Sequence, residues 1–388
     1  MSNSLIKYSI VFIAAILVRL PQIINRPLWY DELQSVTFSS QTLPDLFESV
    51  NIFDVHPPFY YIQLKTWMLV SSQTDWIRLN SVFWFVLSAV FLIWITSTIF
   101  HEKAAFFSFL FLAASPFSIW ISNVVRMYSL LIFLGLASYF LLHRLLTTEQ
   151  RGIEKFLLYL VVVLYLYSHG AGFMILVSMV TYVAAESALN PQTRKKLISF
   201  GILLLLILAS YIPWLIRAYD TSIQHALPSS IQSLSQTVYT LVFGFSFSQD
   251  WLQLLTLILF FLICSWLLLT YPNSRSMLLA YVLIPTTFCM VVSATFRSIL
   301  LYRTLAYISP FIVITLAIAV EKLNTNFIQR QNQRQNYQFG FETLILSVFC
   351  FSTFFQFSDF SYPWNYDEAT SFISERSTED GYVYIPNQ

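Results

Sequence analysis

Long apolar runs separated by short polar connectors recur along almost the whole chain, and they leave it few ways to fold. A backbone surrounded by hydrocarbon must satisfy its N–H and C=O groups internally, so a run of about 20 apolar residues reads as a membrane-spanning helix. Eleven runs qualify: 8–25, 79–100, 104–121, 127–146, 155–169, 171–189, 197–217, 251–271, 276–296, 303–321 and 342–358. Only 11% of the 388 residues are charged and 57% are hydrophobic, whereas soluble domains carry roughly a quarter charged residues. The expected fold class is an all-α integral membrane protein of about 11 transmembrane helices, within a range of 10 to 13 set by the shortest runs. The first run has only Lys7 ahead of it and no small-x-small site before Arg26, so it reads as an uncleaved span.

A twelfth stretch, 58–71, is short, rich in Tyr and Trp, and carries Lys65 in its middle. Whether it crosses sets the side of everything after it. With the N-terminus cytoplasmic and 58–71 lying along the surface, the inner connectors hold twelve basic residues and six acids, the outer ones nine and fourteen. That is the bias the positive-inside rule demands. If 58–71 crossed, Arg194, Lys195 and Lys196 would face outward and the bias would largely vanish. The reading is an amphipathic interfacial helix over 58–71 within a first outer loop, 26–78. The same parity puts Asp31, Glu32, Asp54, His56, Arg126, His169, the 218–250 loop, Arg297 and Arg303 on one face. Within that second loop, 229–243 is expected as an amphipathic helix on the membrane. A transmembrane domain over 1–358, with a Gln/Asn-rich inner connector at 323–341, is followed by a short polar outer tail, 359–388.

Composition excludes several functions. A net charge of +1 with no basic groove argues against a nucleic-acid partner. Cys264, Cys289 and Cys350 lie inside apolar runs and read as core residues, not as a disulfide frame or zinc ligands. With 8 glycines and no phosphate-cradling loop, Rossmann fingerprint or Gly-x-Ser-x-Gly elbow, cytoplasmic nucleotide-sugar chemistry loses support.

What remains is a set of polar groups beside spans, where ionisable side chains tend to mark function. Five of the 20 acids (Asp31, Glu32, Asp45, Glu48 and Asp54) crowd into residues 31–54 of the first outer loop. A carboxylate such as Asp31 or Glu32 can take the proton from an attacking hydroxyl, or hold a cation that polarises a phosphate; a solvated acidic loop is the plain alternative. His56-Pro57-Pro58 reads as a helix start, because Pro suits a first turn and keeps the residue before it extended. That leaves His56 at a helix mouth that attracts anions, or at a simple corner. Arg126, in Asn123-Val-Val-Arg-Met-Tyr-Ser129, and Arg303, in Leu301-Tyr-Arg-Thr304, either snorkel or bind a phosphate in a bidentate manner. His169, in Tyr167-Ser-His-Gly-Ala-Gly172, stands in a tight glycine turn.

In order and spacing these motifs resemble the polytopic glycosyltransferases of the GT-C class, and are similar to its bacterial protein O-mannosyltransferase-like and lipid A aminoarabinose transferase-like members. The resemblance covers residues 8 to about 320. It rests on Asp31-Glu32 after the first span, His56 to Tyr61, Arg126 to Leu130, Tyr167 to His169, and Tyr302-Arg303 ahead of Pro310. It implies transfer of a sugar from a polyprenyl-phosphate donor to a glycan, lipid or protein acceptor. The reaction would lie on the extracytoplasmic side of a bacterial inner (plasma) membrane. The family's catalytic carboxylate maps onto Asp31, the base of an inverting single displacement. Glu32, His56, Arg126, Tyr128, His169 and Arg303 are expected on the donor's phosphate and sugar; Asp54, Tyr60 and Tyr302 would support the loop or the acceptor. Two departures stand out. The acid that often precedes the arginine of the second outer turn is replaced by Asn123-Val124-Val125, which removes a candidate ligand for a divalent cation. The tail is also short beside the outer domain of many relatives, so acceptor recognition would rest on the membrane loops.

Two other classes produce greasy multispan chains. A lipid-linked sugar flippase or polysaccharide exporter places ionisable groups at mid-membrane along a path, and a non-catalytic scaffold of a glycan-assembly complex needs no base. Nearly charge-free spans with polar groups at one end favour the enzyme.

Overall fold

In the computed structural model the described residues are 3–24, 26–149, 152–221, 230–245, 249–295, 299–330 and 341–358. All regular structure among them is helical. The order begins α1 (Asn3–Arg19), α2 (Tyr30–Ser40), α3 (Leu43–Phe53), α4 (Phe59–Met68), α5 (Thr74–Ile99), α6 (Glu102–Ala114), α7 (Pro116–Ile121) and α8 (Tyr128–Thr147). It continues with α9 (Gly152–Leu166), α10 (Met174–Leu189), α11 (Leu197–Thr221), α12 (Ile231–Phe243), α13 (Asp250–Thr270), α14 (Arg275–Leu278), α15 (Ile284–Thr295), α16 (Ser309–Arg330) and α17 (Phe341–Ser358). A π-helical turn, Leu279–Leu283, joins α14 to α15.

Six of these helical segments are long and apolar enough to cross a membrane: Thr74–Ile99, Tyr128–Thr147, Pro191–Arg217, Asp250–Thr270, Pro272–Thr295 and Ala306–Leu323. The chain is an integral membrane protein, but the expected count of about 11 spans is not reached on these criteria. Local chemistry explains the difference. The run 104–121 breaks at Ser115, whose hydroxyl accepts the Ser118 N–H and caps α7, with Pro116 at the first helical position. Runs 155–169 and 171–189 become two shorter helices on either side of the 167–173 turn. The run 303–321 remains a span, Ala306–Leu323, although residues 301–308 turn before α16 begins at Ser309.

The helix expected over 58–71 is α4, only 10 residues long. At 1.5 Å per residue it falls far short of a hydrocarbon core of about 30 Å, so it does not cross. It packs on α2 and α5 through Tyr60, Tyr61 and Leu64, while Leu69 just beyond it is 80% exposed. Lys65, puzzling inside an apolar stretch, donates to Gln41 O (2.5 Å) and Ser39 O (3.4 Å). It thereby supplies the cation that a helix C-terminus, here that of α2, prefers.

The helix expected over 229–243 forms as α12, capped by Ser230, but its apolar face (Leu234, Val238, Leu241) packs on α13 and α7. Residues 222–229 and 246–248 of the 218–250 loop, most of the 323–341 connector, Arg297 and the 359–388 tail lie outside the described residues. The core centres on α8, which is mostly buried and packs against α5, α9 and the turn Ala306–Ile308. Tyr307 packs against Gly135 of α8, where an added Cβ would lie 3.4 Å from the Tyr307 Cβ and 3.6 Å from its ring.

Candidate active site

Four connectors meet at one end of the bundle: the link from α1 into α2, the α7–α8 turn, the α9–α10 turn, and the stretch before α16. Asp31 sits in the first turn of α2, where the helix dipole favours an acid. Its Oδ2 receives a hydrogen bond from Arg303 Nη1 at 2.9 Å, across 272 residues of sequence. The pair is only partly covered, with Asp31 18% and Arg303 34% exposed. Asp31 Oδ1 accepts no hydrogen bond among the described residues. Arg303 is held from its other side: Nε donates to Tyr302 Oη at 3.1 Å, and the guanidinium lies over the Trp29 ring, 5.3 Å from its centroid. Tyr302 in turn packs edge-on against Trp120 and Phe245.

Arg126, in the turn between α7 and α8, is 4% exposed. Its Nη1 donates to Asp31 O and Ser35 Oγ, both at 3.2 Å, while its buried Nε has no hydrogen-bond partner among the described residues. Two guanidinium groups therefore hold Asp31, Arg303 at its carboxylate and Arg126 at its main-chain carbonyl, and the Arg126 Nε stays unspent among the described residues.

Glu32, expected among the donor-binding groups, has a different place. Its side chain and that of Arg78 are both 0% exposed and meet at 3.0 Å. Its oxygens also accept the backbone N–H groups of Val125 (2.9 Å) and Trp29 (3.2 Å). Arg78 adds bonds to Arg26 O and Pro27 O. A carboxylate with its acceptor sites taken and no exposure has no room for a ligand, so Glu32 is a clip between α2, α5 and the α7–α8 turn. Sequence reading passed over Arg78; its signal was a lone cation one turn inside an otherwise apolar helix, which needs a partner when buried.

The same turn is braced elsewhere. Val125, within the triplet that replaces an acid, gives its N–H to Glu32, and Asn123 Nδ2 donates to Gln22 Oε1 (3.1 Å) and Ile119 O (2.7 Å). Arg19, fully buried at the end of α1, reaches Ser122 Oγ, Ser118 Oγ and the carbonyls of Ala15 and Ala113, and lies 3.6 Å from the Phe85 centroid.

A second patch holds His56 and His169, their ring centroids 4.6 Å apart. Each Nδ1 accepts a backbone N–H, from Gly170 and Ala171 respectively, both at 3.1 Å. Burial, reinforced by the positive charges of Arg126 and Arg303, pushes the His56 imidazole well below its ordinary pKa. Burial, His56 itself and the same arginines do so for His169, against a smaller opposing effect of Asp54. Tyr128 faces His169 at 6.5 Å and stacks on Trp120. Asp54 accepts from Tyr61 Oη and from the His56 N–H (3.0 Å), so it orders the corner that presents His56. Tyr60 is buried, and its hydroxyl has no hydrogen-bond partner among the described residues. Arg217 ties the end of α3 down through Val50 O, Asn51 O and Asp54 O.

Asp31, Arg126, Arg303 and Tyr302 thus form one group, and His56, His169 and Tyr128 an adjoining one. Among the described residues the donor set does not suit a divalent cation: no three His, Cys, Asp or Glu side chains converge, Asp31 already faces Arg303, and Glu32 is closed.

No protein-family model matches the sequence, and no curated protein sequence matches it. Solved structures do match the fold. The apo ArnT of Cupriavidus metallidurans is 15% identical with a TM-score of 0.57, over 84% of this chain and 61% of that one. The same ArnT bound to undecaprenyl phosphate is 12% identical, with a TM-score of 0.56 over 89% of this chain and 69% of that one. The apo oligosaccharyltransferase of Archaeoglobus fulgidus is 13% identical, with a TM-score of 0.57 over 98% of this chain and 59% of that one. The chain therefore shares the overall fold of ArnT and of the archaeal oligosaccharyltransferase. The chain spans about three fifths of the length of the first ArnT and oligosaccharyltransferase structures.

Proposed function

We propose that the chain is a glycosyltransferase that moves a sugar from a polyprenyl-phosphate donor to an acceptor hydroxyl. The site would lie at the extracytoplasmic face, with the N-terminus in the cytoplasm. The observation that carries this reading is the Asp31–Arg303 contact at 2.9 Å with Arg126 bonded to the Asp31 carbonyl. It offers a base and two cations within one site, on a fold shared with transferases. The ArnT structure bound to undecaprenyl phosphate supports the donor class.

The step balances as follows. Asp31 takes the acceptor O–H proton on Oδ1, and the freed oxygen forms a bond to the anomeric carbon. The bond from that carbon to the phosphate oxygen breaks with inversion, and the polyprenyl phosphate leaves with its negative charge. Arg126 and Arg303 stabilise that charge as oriented donors fixed before the reaction. An arriving phosphate competes with Asp31 for Arg303, which releases the carboxylate to act as base. Glu32 and Arg78 hold the first turn of α2 in register; Tyr128, Tyr302, Tyr60 and Asp54 shape the walls.

The test is transfer from a panel of radiolabelled undecaprenyl-phosphate hexoses and pentoses in detergent, with wild type and Asp31→Asn side by side. Loss of label from the lipid in wild type, reduced at least about a hundredfold in the variant, is the expected result for a general base. Equal turnover by the two proteins would remove Asp31 from that role. Movement of intact lipid-linked sugar across vesicles without transfer would instead identify a flippase.

A further inference from the structure

His56 and His169 come together without any role that requires charge, since Arg126 and Arg303 already meet the needs of a phosphate. Their surroundings say more. A backbone N–H can donate only to a ring nitrogen that carries a lone pair, so each Nδ1 is unprotonated. A neutral imidazole in that state carries its proton on Nε2, which is left as an outward donor. Protonating either ring would set one N–H against another.

The dimensions of the glycine turn hold this arrangement in place. A Cβ on Gly170 would come within 2.6 Å of Val55 O and 3.6 Å of His56 Nδ1, and one on Gly172 within 2.9 Å of His169 O. Only glycine lets the turn close on the 54–59 corner, which it also grips through Phe59 N–H to Tyr167 O at 2.9 Å. The charged and titratable groups acting on the pair are Arg126, Arg303 and Asp54, with Tyr128 beside His169 and Asp31 across Arg303.

We propose that His56 and His169 form a neutral, tautomer-locked pair of Nε2–H donors that binds uncharged hydroxyl oxygens of the transferred sugar, while the lipid phosphate is left to Arg126 and Arg303. This rests on the transferase reading above. It assigns the two imidazoles to sugar selection instead of charge neutralisation or acid catalysis.

Two measurements test it. Histidine labelled with 15N gives two-bond 1H–15N spectra in micelles from pH 5 to 8, and the single variants His56→Gln and His169→Gln assign the signals among the five histidines of the chain. Both rings are expected as Nε2–H tautomers that do not titrate across this range. An Nδ1–H ring, or a midpoint near the ordinary value of about 6.5, overturns the lock. The second measurement is binding of undecaprenyl phosphate, which has no sugar, against turnover of the sugar-bearing donor. His56→Phe and His169→Phe should leave undecaprenyl phosphate binding at the wild-type level and each lower turnover roughly tenfold, the worth of one neutral hydrogen bond. The Gln variants, which keep an N–H near that position, should recover part of the loss. Weakened undecaprenyl phosphate binding in the Phe variants, as in Arg126→Gln, would overturn the sugar assignment. Failure of wild type itself to bind undecaprenyl phosphate would sink the transferase reading and the sugar assignment with it, while the spectra would still decide the tautomers.

Discussion

Asp31 and Glu32 are neighbours in sequence, yet the rotation of about 100° per residue in a helix sends them to different surroundings. Glu32 turns inward to Arg78, and Asp31 stays at the rim with Arg303. Their substitutions should separate cleanly. Glu32→Gln leaves the Arg78 charge buried without its partner, and is expected to cost about 3–5 kcal/mol of stability, read as a fall in melting temperature in detergent. Asp31→Asn breaks a partly exposed pair and should cost no more than about 1 kcal/mol, while abolishing transfer. If the two variants lost stability equally, the clip-and-base division would be wrong. The proximity of two acids and the spacing of the arginines were legible in the sequence. Which acid stays accessible was not, because it depends on where Arg78 of α5 meets α2.

At the scale of elements, hydropathy located most helices well but overstated their continuity. A run such as 104–121 looks uniform to an average, but one Ser-Pro pair supplies a cap and a fixed φ that start a new helix. Lys65 is the converse case: a charge inside an apolar stretch whose role is to cap a different helix, α2. Replacing it with Met should destabilise the protein by about 0.5–1 kcal/mol, seen as earlier proteolysis of the 40–58 segment. Unchanged protection there would show that the cap contributes nothing. The turn after α9 makes a similar point, since glycine at 170 is demanded by Val55 O from another connector, not by any local periodicity.

For the whole molecule, sidedness and pH dependence are the measurable properties. Charge counting expects Glu48→Cys, in an otherwise cysteine-free background, to react with an impermeant thiol reagent from outside the cell and Lys195→Cys only after the membrane is opened. The reverse pattern would invert the topology. Stability should also fall as pH drops. Both site histidines are pushed below the ordinary range in the folded protein, so the unfolded chain takes up protons first. Their contribution is complete above about 6.5 and is lost as pH falls below it, at up to about 1.4 kcal/mol per pH unit for each ring. The double variant His56→Gln/His169→Gln should show a correspondingly flatter decline between pH 7 and 5 in thermal unfolding; an identical slope would mean that the rings charge freely in the folded state.

The amino-acid sequence alone determined that this chain is helical and lives in a membrane, and it picked out the polar residues worth watching. Those properties are local: apolar side chains and backbone hydrogen bonding decide them one segment at a time. Only the tertiary structure decided which of those residues act together. Asp31 and Arg303 meet across 272 residues, Glu32 is taken by a cation not singled out beforehand, and two histidines 113 positions apart receive their tautomers from one turn. Such assignments depend on how connectors from different helices pack at one end of the bundle. No local signal in the chain encodes that packing.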